Sequence, residues 1–229
     1  MITSDLEFAQ LLTLLQHGDS QFPTGAFAFS SGLEGLLADG LTNAVDLGDL
    51  ISDLLHWRWA PFDRVLLHRA WQADGALPAL AALETELEAA LLAPAERAGS
   101  LRTGAALLTT HAHLGTRSAA ALRAAIDVGK LCGHRIVMEG ALWRDLGLDE
   151  QQAALLSAYA FVNMLGTAAV RLGVQGALGQ QRLLAALLPA MAALAAAPLA
   201  PTVAPSAFNP LAEIAIMRQP ARDRCLFST

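Results

Sequence analysis

Several short groupings in this chain carry residue types that do chemistry. Each such chemistry has a requirement that can be checked against the sequence. The stretch TGAFAFSSG, residues 24–32, is rich in glycine and serine and invites a phosphate-cradling reading. A phosphate loop needs a lysine beside its Ser or Thr and a strand ahead of it, and this stretch has neither. His111 and His113 are metal-ligand types at close spacing, but two residues apart on a helix they point to different faces. Cys132 and His134 share that spacing, and only a turn at Gly133 would bring them together for a transition metal. Ser30, Ser31 and Cys132 are the conceivable nucleophiles, and none lies in a nucleophile elbow or a catalytic-cysteine signature. Glu34 and Glu139 stand alone, as capping and salt-bridging carboxylates do more often than acid–base catalysts. The reading is a protein that is not an enzyme, with no cofactor and no metal centre. Two alternatives stay open: a metal carrier using Cys132, His134 or Cys225, and an enzyme with an unrecognised helical site.

The elements around these groups are helical. Phe8, Leu11, Leu12 and Leu15 line one face of a first helix. Leu47, Leu50, Ile51, Leu54 and Leu55 line a second, with Asn43 and Asp46 as a cap-like start. Pro61 is placed for the first turn of a third, which carries Phe62, Val65, Leu66 and Arg69. Leu80, Leu83, Leu87 and Leu91 form a further stripe, with Glu84, Glu86 and Glu88 on the outer face. Pro94 opens a helix that Gly115 stops. One or two more span 118–146, blurred by Gly129 and Gly133. Asp149 caps a long helix to about Leu172, and an alanine-rich helix covers about 180–197. No period-two alternation survives, so the expected fold is all-α: a single-domain helical bundle of roughly eight to ten helices over residues 1–229.

Composition agrees. Of 229 residues, 54% are hydrophobic and 16% charged, and roughly two-fifths are alanine or leucine. That excludes a disordered chain. The net charge is −6 and Lys130 is the only lysine, so no basic stripe exists for nucleic acid. The longest uncharged runs, 151–170 and 183–204, are broken by Gln151, Gln152, Asn163 and several prolines, and read as core rather than membrane spans. Residues 1–10 hold Asp5 and Glu7 and no basic region, so no signal peptide is expected, and Cys132 with Cys225 form no disulfide framework. The expectation is a soluble cytoplasmic protein.

Two segments break the helical pattern. Residues 16–32, QHGDSQFPTGAFAFSSG, hold Phe22, Phe27 and Phe29 among glycines and a proline, as a loop tucked against a core or a partner would. The tail, 198–229, is proline-rich, then helix-like over Leu211 to Met217, then basic at Arg218, Arg222 and Arg224. It reads as an arm that orders on a partner.

These two segments also carry a family resemblance. DSQFPTGAFAFSSGLE resembles the N-terminal signature of UreF-type urease accessory proteins, with Asp19, Ser20, Pro23, Gly25, Phe27, Ser30, Gly32, Leu33 and Glu34 in register. AAVRLGVQGALGQQ, residues 168–181, is similar to a second family segment, and NPLAEIAIMRQPARDRCLFST resembles the family's C-terminus. Gln219 stands where the family usually has histidine, and Arg-Cys-Leu-Phe-Ser-Thr replaces the usual ending. The resemblance implies an all-helical, non-catalytic co-chaperone of urease maturation. It implies a homodimer that binds a UreD/UreH-type accessory protein, recruits and regulates the GTPase UreG, and so serves nickel insertion into the urease apoprotein. The protein-binding residues it points to are Phe27, Glu34, Met217, Arg218, Arg222, Arg224 and Phe227.

Overall fold

The computed structural model describes residues 5–25, 29–200, 202–219 and 226–227, and among them all regular structure is helical. Helix α1 covers Asp5–Gly18, and a loop leads to α2, Leu33–Ala38. Helix α3, Leu47–Leu54, runs on through a π-helical stretch, Leu55–Asp63, into α4, Arg64–Gln72. Then come α5 (Leu77–Ala90), α6 (Pro94–Leu114), α7 (Arg117–Asp127) and α8 (Arg135–Asp145). The chain continues with α9 (Glu150–Arg171), α10 (Ala177–Ala196) and α11 (Pro210–Arg218).

Most boundaries fall where the local chemistry puts them. Asp149 accepts the Gln152 N–H at 2.8 Å, while the Gln152 side chain accepts the Asp149 N–H at 3.0 Å, a reciprocal capping box that starts α9. Gly115 takes the left-handed conformation that ends α6.

Pro61 departs from expectation. It does not open a helix; the helix passes through it. Proline offers no N–H to the carbonyl four residues back and crowds it, and a π-helical widening relieves that crowding. The tail uses the carbonyls that remain: Phe208 N–H donates to Trp57 O at 2.9 Å, and Ser206 N–H to Pro61 O at 3.0 Å.

Two apolar cores result. The first gathers Leu66, Leu67, Leu80, Leu83, Leu87, Leu107, Leu142 and Trp143 from α4 to α8. The second gathers Leu33, Leu36, Ile51, Trp59, Phe161, Val162, Leu165, Met191 and Ala215 from α2, α3, the π-helical stretch, α9, α10 and α11. Helix α9 joins them, with Ala153 and Leu156 in the first and its later turns in the second. Each fully buried leucine contributes about 1.5–3 kcal/mol. Helices α9 and α10 have the length and apolarity of a membrane span. Helix α9 directs most of that apolarity into the cores, whereas α10 buries Leu184, Leu187 and Met191 and leaves Leu178 and Leu188 exposed.

Two expectations about faces are corrected. Phe8, Leu11, Leu12 and Leu15 line one face of α1 as predicted, but that face points to solvent. Glu84 does not sit on the outer face of α5; it is buried and accepts backbone N–H groups from Cys132 (2.5 Å), Gly133 (2.7 Å) and His134 (2.8 Å). It shapes the turn between α7 and α8, where Gly133 has positive φ.

Candidate protein-docking site

The loop after α1 is held by its own side chains and by α6. Asp19 accepts the Gln21 N–H at 2.8 Å, and the Thr110 hydroxyl donates to Pro23 O at 2.9 Å. Phe29 packs against Gly99, where a β-carbon would fall 2.7 Å from the ring. Gly32, at φ +86°, then turns the chain into α2.

That turn exists to receive the C-terminal helix. A β-carbon at Gly32 would lie 2.7 Å from the Ala212 carbonyl oxygen, and one at Gly35 would lie 2.9 Å from Ala215 Cβ. The missing side chains let α11 lie directly on α2. Leu33, the first residue of α2, is fully buried in the second core with Ala212 and Ala215 of α11. Glu34 accepts the backbone N–H of Leu226 at 2.5 Å and of Phe227 at 3.1 Å, and the Gln219 side-chain amide at 2.9 Å. The same amide donates to Phe227 O at 3.0 Å. The Phe227 ring is buried in the second core beneath the Arg171 guanidinium, 4.4 Å from the ring centroid. The signature Gly-Leu-Glu thus binds the chain's own end.

Docking the tail this way leaves an apolar ridge outside. Leu211, Ile214 and Met217 recur every third residue along α11, and Trp57 and Phe208 continue the surface; all five are 43–74% exposed. Arg218, also exposed, stands at the end of the ridge, 3.8 Å from Asp39. Of the residues expected to bind partners, Met217 and Arg218 are therefore open at the surface, whereas Glu34 and Phe227 are engaged with each other. Phe27, Arg222 and Arg224 lie outside the described residues, as does Cys225.

The metal-ligand pairs do not converge. His111 is buried and His113 exposed, on different faces as their spacing requires. The turn at Gly133 exists, but His134 is buried with Nε2 2.7 Å from Glu88 and Nδ1 3.0 Å from the Ser100 hydroxyl. Burial, together with the Glu84 and Glu88 charges, pushes the Cys132 thiol up, which disfavours the thiolate a metal needs. Among the described residues no group of three His, Cys, Asp or Glu side chains is placed to hold a metal ion.

Sequence reading missed an ion-pair network between the cores. Arg58 lies 2.7 Å from Glu96 and 3.7 Å from Asp63, and Arg135 lies 2.7 Å from Glu139. Burial raises the Glu96 and Glu139 carboxyls, and the facing guanidinium opposes that in each case. Arg58, Asp63, Glu96 and Arg135 line a cavity of about 100 Å³ together with Ser100, Thr103 and Asn209. Each carboxylate faces an arginine, the arrangement of a structural network. The only sequence signal was the lone Arg135–Glu139 spacing of four.

Known proteins resemble this chain in sequence. Residues 41–188 match the family model described as UreF. The urease accessory protein UreF of Trichodesmium erythraeum is 30% identical over 82% of each chain. That of Paracoccus denitrificans is 33% identical over 82% of this chain and 81% of its own, and one from Cereibacter sphaeroides is 32% identical over 78% and 79%. With the family model covering most of its length and relatives aligned across four-fifths of it, this chain belongs to the UreF family of urease accessory proteins, whose role lies in urease maturation.

Proposed function

We propose that this chain is a non-enzymatic co-chaperone of urease maturation that works as a homodimer in the cytoplasm. It binds a UreD/UreH-type accessory protein, and that complex recruits and regulates the GTPase UreG for nickel insertion into the urease apoprotein. The observation that carries the docking role is the exposed apolar ridge of α11, held on α2 by the Glu34 interactions. An apolar strip beside a cationic residue is a surface that a partner buries, with the apolar side chains as anchors and Arg218 setting orientation. Glu34 and Phe227 act indirectly, by fixing α11 in place. Arg222, Arg224 and Phe27 are further partner-binding residues in this reading.

The test is co-elution of the full chain with a UreD-type protein and UreG. Ile214→Glu combined with Met217→Glu adds charge to exposed positions, so the thermal midpoint stays within a few degrees while the UreD complex is lost. Undiminished co-elution of that variant overturns the ridge as the docking site. Tight stoichiometric nickel binding by the isolated chain, read by calorimetry, would instead favour a carrier.

A further inference from the structure

Helix α1 turns Leu11, Leu12 and Leu15 outward, and its inner face carries, beside Leu14, the polar side chains Gln10, Thr13 and His17. One of these, His17, lines a cavity of about 40 Å³ shared with the loop after α1 and with α6, α8 and α9. Glu139 and Trp143 of α8 line it too. His17 is 9% exposed, Glu139 3% and Trp143 4%. Yet His17 Nε2, Glu139 Oε2 and Trp143 Nε1 have no hydrogen-bond partner among the described residues. Buried polar atoms in folded proteins are paired, so three unpaired ones around one space point to something between them.

The protonation of each atom follows from its neighbours. His17 Nδ1 lies 2.8 Å from the Thr13 carbonyl, which only accepts, so the ring proton is on Nδ1 and Nε2 offers a lone pair. Arg135 donates to Glu139 Oε1 at 2.7 Å, which opposes the upward push that burial gives this carboxyl, and in that ion pair Oε2 is an acceptor. The Trp143 indole can only donate. Among the lining side chains, which also include Arg135 and Thr24, the unpaired atoms are therefore two acceptors and one donor. That inventory is the complement of one water molecule, which has two hydrogens to give and a lone pair to receive with. A cavity needs about 10–15 Å³ of this kind to hold a water.

We infer that this cavity is a binding site for an internal water that accepts from Trp143 Nε1–H and donates to His17 Nε2 and Glu139 Oε2. The water ties α1, and through it the loop that follows, to α8. This inference is independent of the docking role proposed above. A crystal structure of the full chain at a resolution that shows ordered solvent tests it directly. A density peak within hydrogen-bonding distance of all three atoms is the expected result. A dry cavity, a peak touching only one of the three, or direct bonds among the side chains overturns the proposal. A second measurement needs no variant: the Trp143 indole proton shows a nuclear Overhauser effect to a long-lived water, and its absence counts against the site. In Trp143→Phe the peak is lost or displaced, and amide hydrogens of α1 exchange at least tenfold faster than in the wild type. Exchange of α1 unchanged in a folded Trp143→Phe chain overturns the tethering role.

Discussion

Glu34 gathers N–H donors from the far end of the chain, and Gln219 makes that possible with a single amide. The two hydrogens on Gln219 Nε2 serve Glu34 Oε2 and Phe227 O at once. A neutral imidazole has one N–H and serves only one of them. Gln219→His should therefore make tail docking depend on pH, firm when the ring is protonated and weaker above its pKa. Limited proteolysis of the C-terminus across pH 5–8 checks this: the wild-type cleavage rate stays flat while that of the variant rises with pH. Glu34→Ala removes the acceptor for three N–H groups, and because the site is only partly buried the loss should be about 1–2 kcal/mol. The expected readout is a lower midpoint in urea, with C-terminal cleavage faster than in the wild type.

At the scale of elements, close approach decides the packing. Gly140 of α8 sits where a β-carbon would fall 2.6 Å from Ala70 Cβ and 2.7 Å from the Leu67 carbonyl oxygen on α4. Alanine is the better helix former by about 1 kcal/mol, but these contacts are with a short side chain and backbone that have nowhere to go. Overpacking of about 1–3 kcal/mol outweighs the propensity gain. Gly140→Ala should thus lower the thermal midpoint by several degrees, and an unchanged or raised midpoint would contradict the helix contact. Helix propensity alone gives the opposite sign. The π-helical stretch makes a related point. Pro61 looks like a helix start because its fixed φ suits one, and only the tail lying across Trp57 and Pro61 shows where the remaining carbonyls find partners.

Across the whole molecule, acid stability follows from two stacked histidines. His17 and His111 lie with ring centroids 5.2 Å apart. Burial, and then the charge His17 would carry, lower the His111 imidazole to about 4 from its ordinary 6.5; burial lowers His17 as well. Between those values the unfolded chain binds a proton at His111 that the folded chain does not. Stability is therefore full above about pH 6.5 and falls as pH drops towards 4, by at most about 3 kcal/mol from His111. Urea titrations at pH 7, 6 and 5 should show this loss, and His111→Leu should flatten the slope. An equal slope in the variant would mean that other groups govern acid unfolding.

Helix content, most helix ends and the absence of a phosphate-loop or nucleophile pattern were legible in the sequence, because each rests on neighbours within about four residues: a capping box, a glycine stop, a 3.6-residue stripe. The signature loop and the tail were legible as special, since glycines, aromatics and prolines violate helical grammar locally. Which way a stripe faces was not legible. Leu11, Leu12 and Leu15 of α1 and Leu80, Leu83 and Leu87 of α5 both form one-sided helical stripes, yet one set meets solvent and the other a core, because neighbouring elements and not periodicity supply the partner surface. Glu84 reads as a surface charge until the 132–134 turn arrives 48 residues later to be bound. Most of all, tertiary structure joined the two exceptional segments, placing Glu34 against Phe227 across 193 residues. Hydrogen bonds and close glycine contacts of that range leave no local periodicity, so each segment reads as a separate feature until the chain folds.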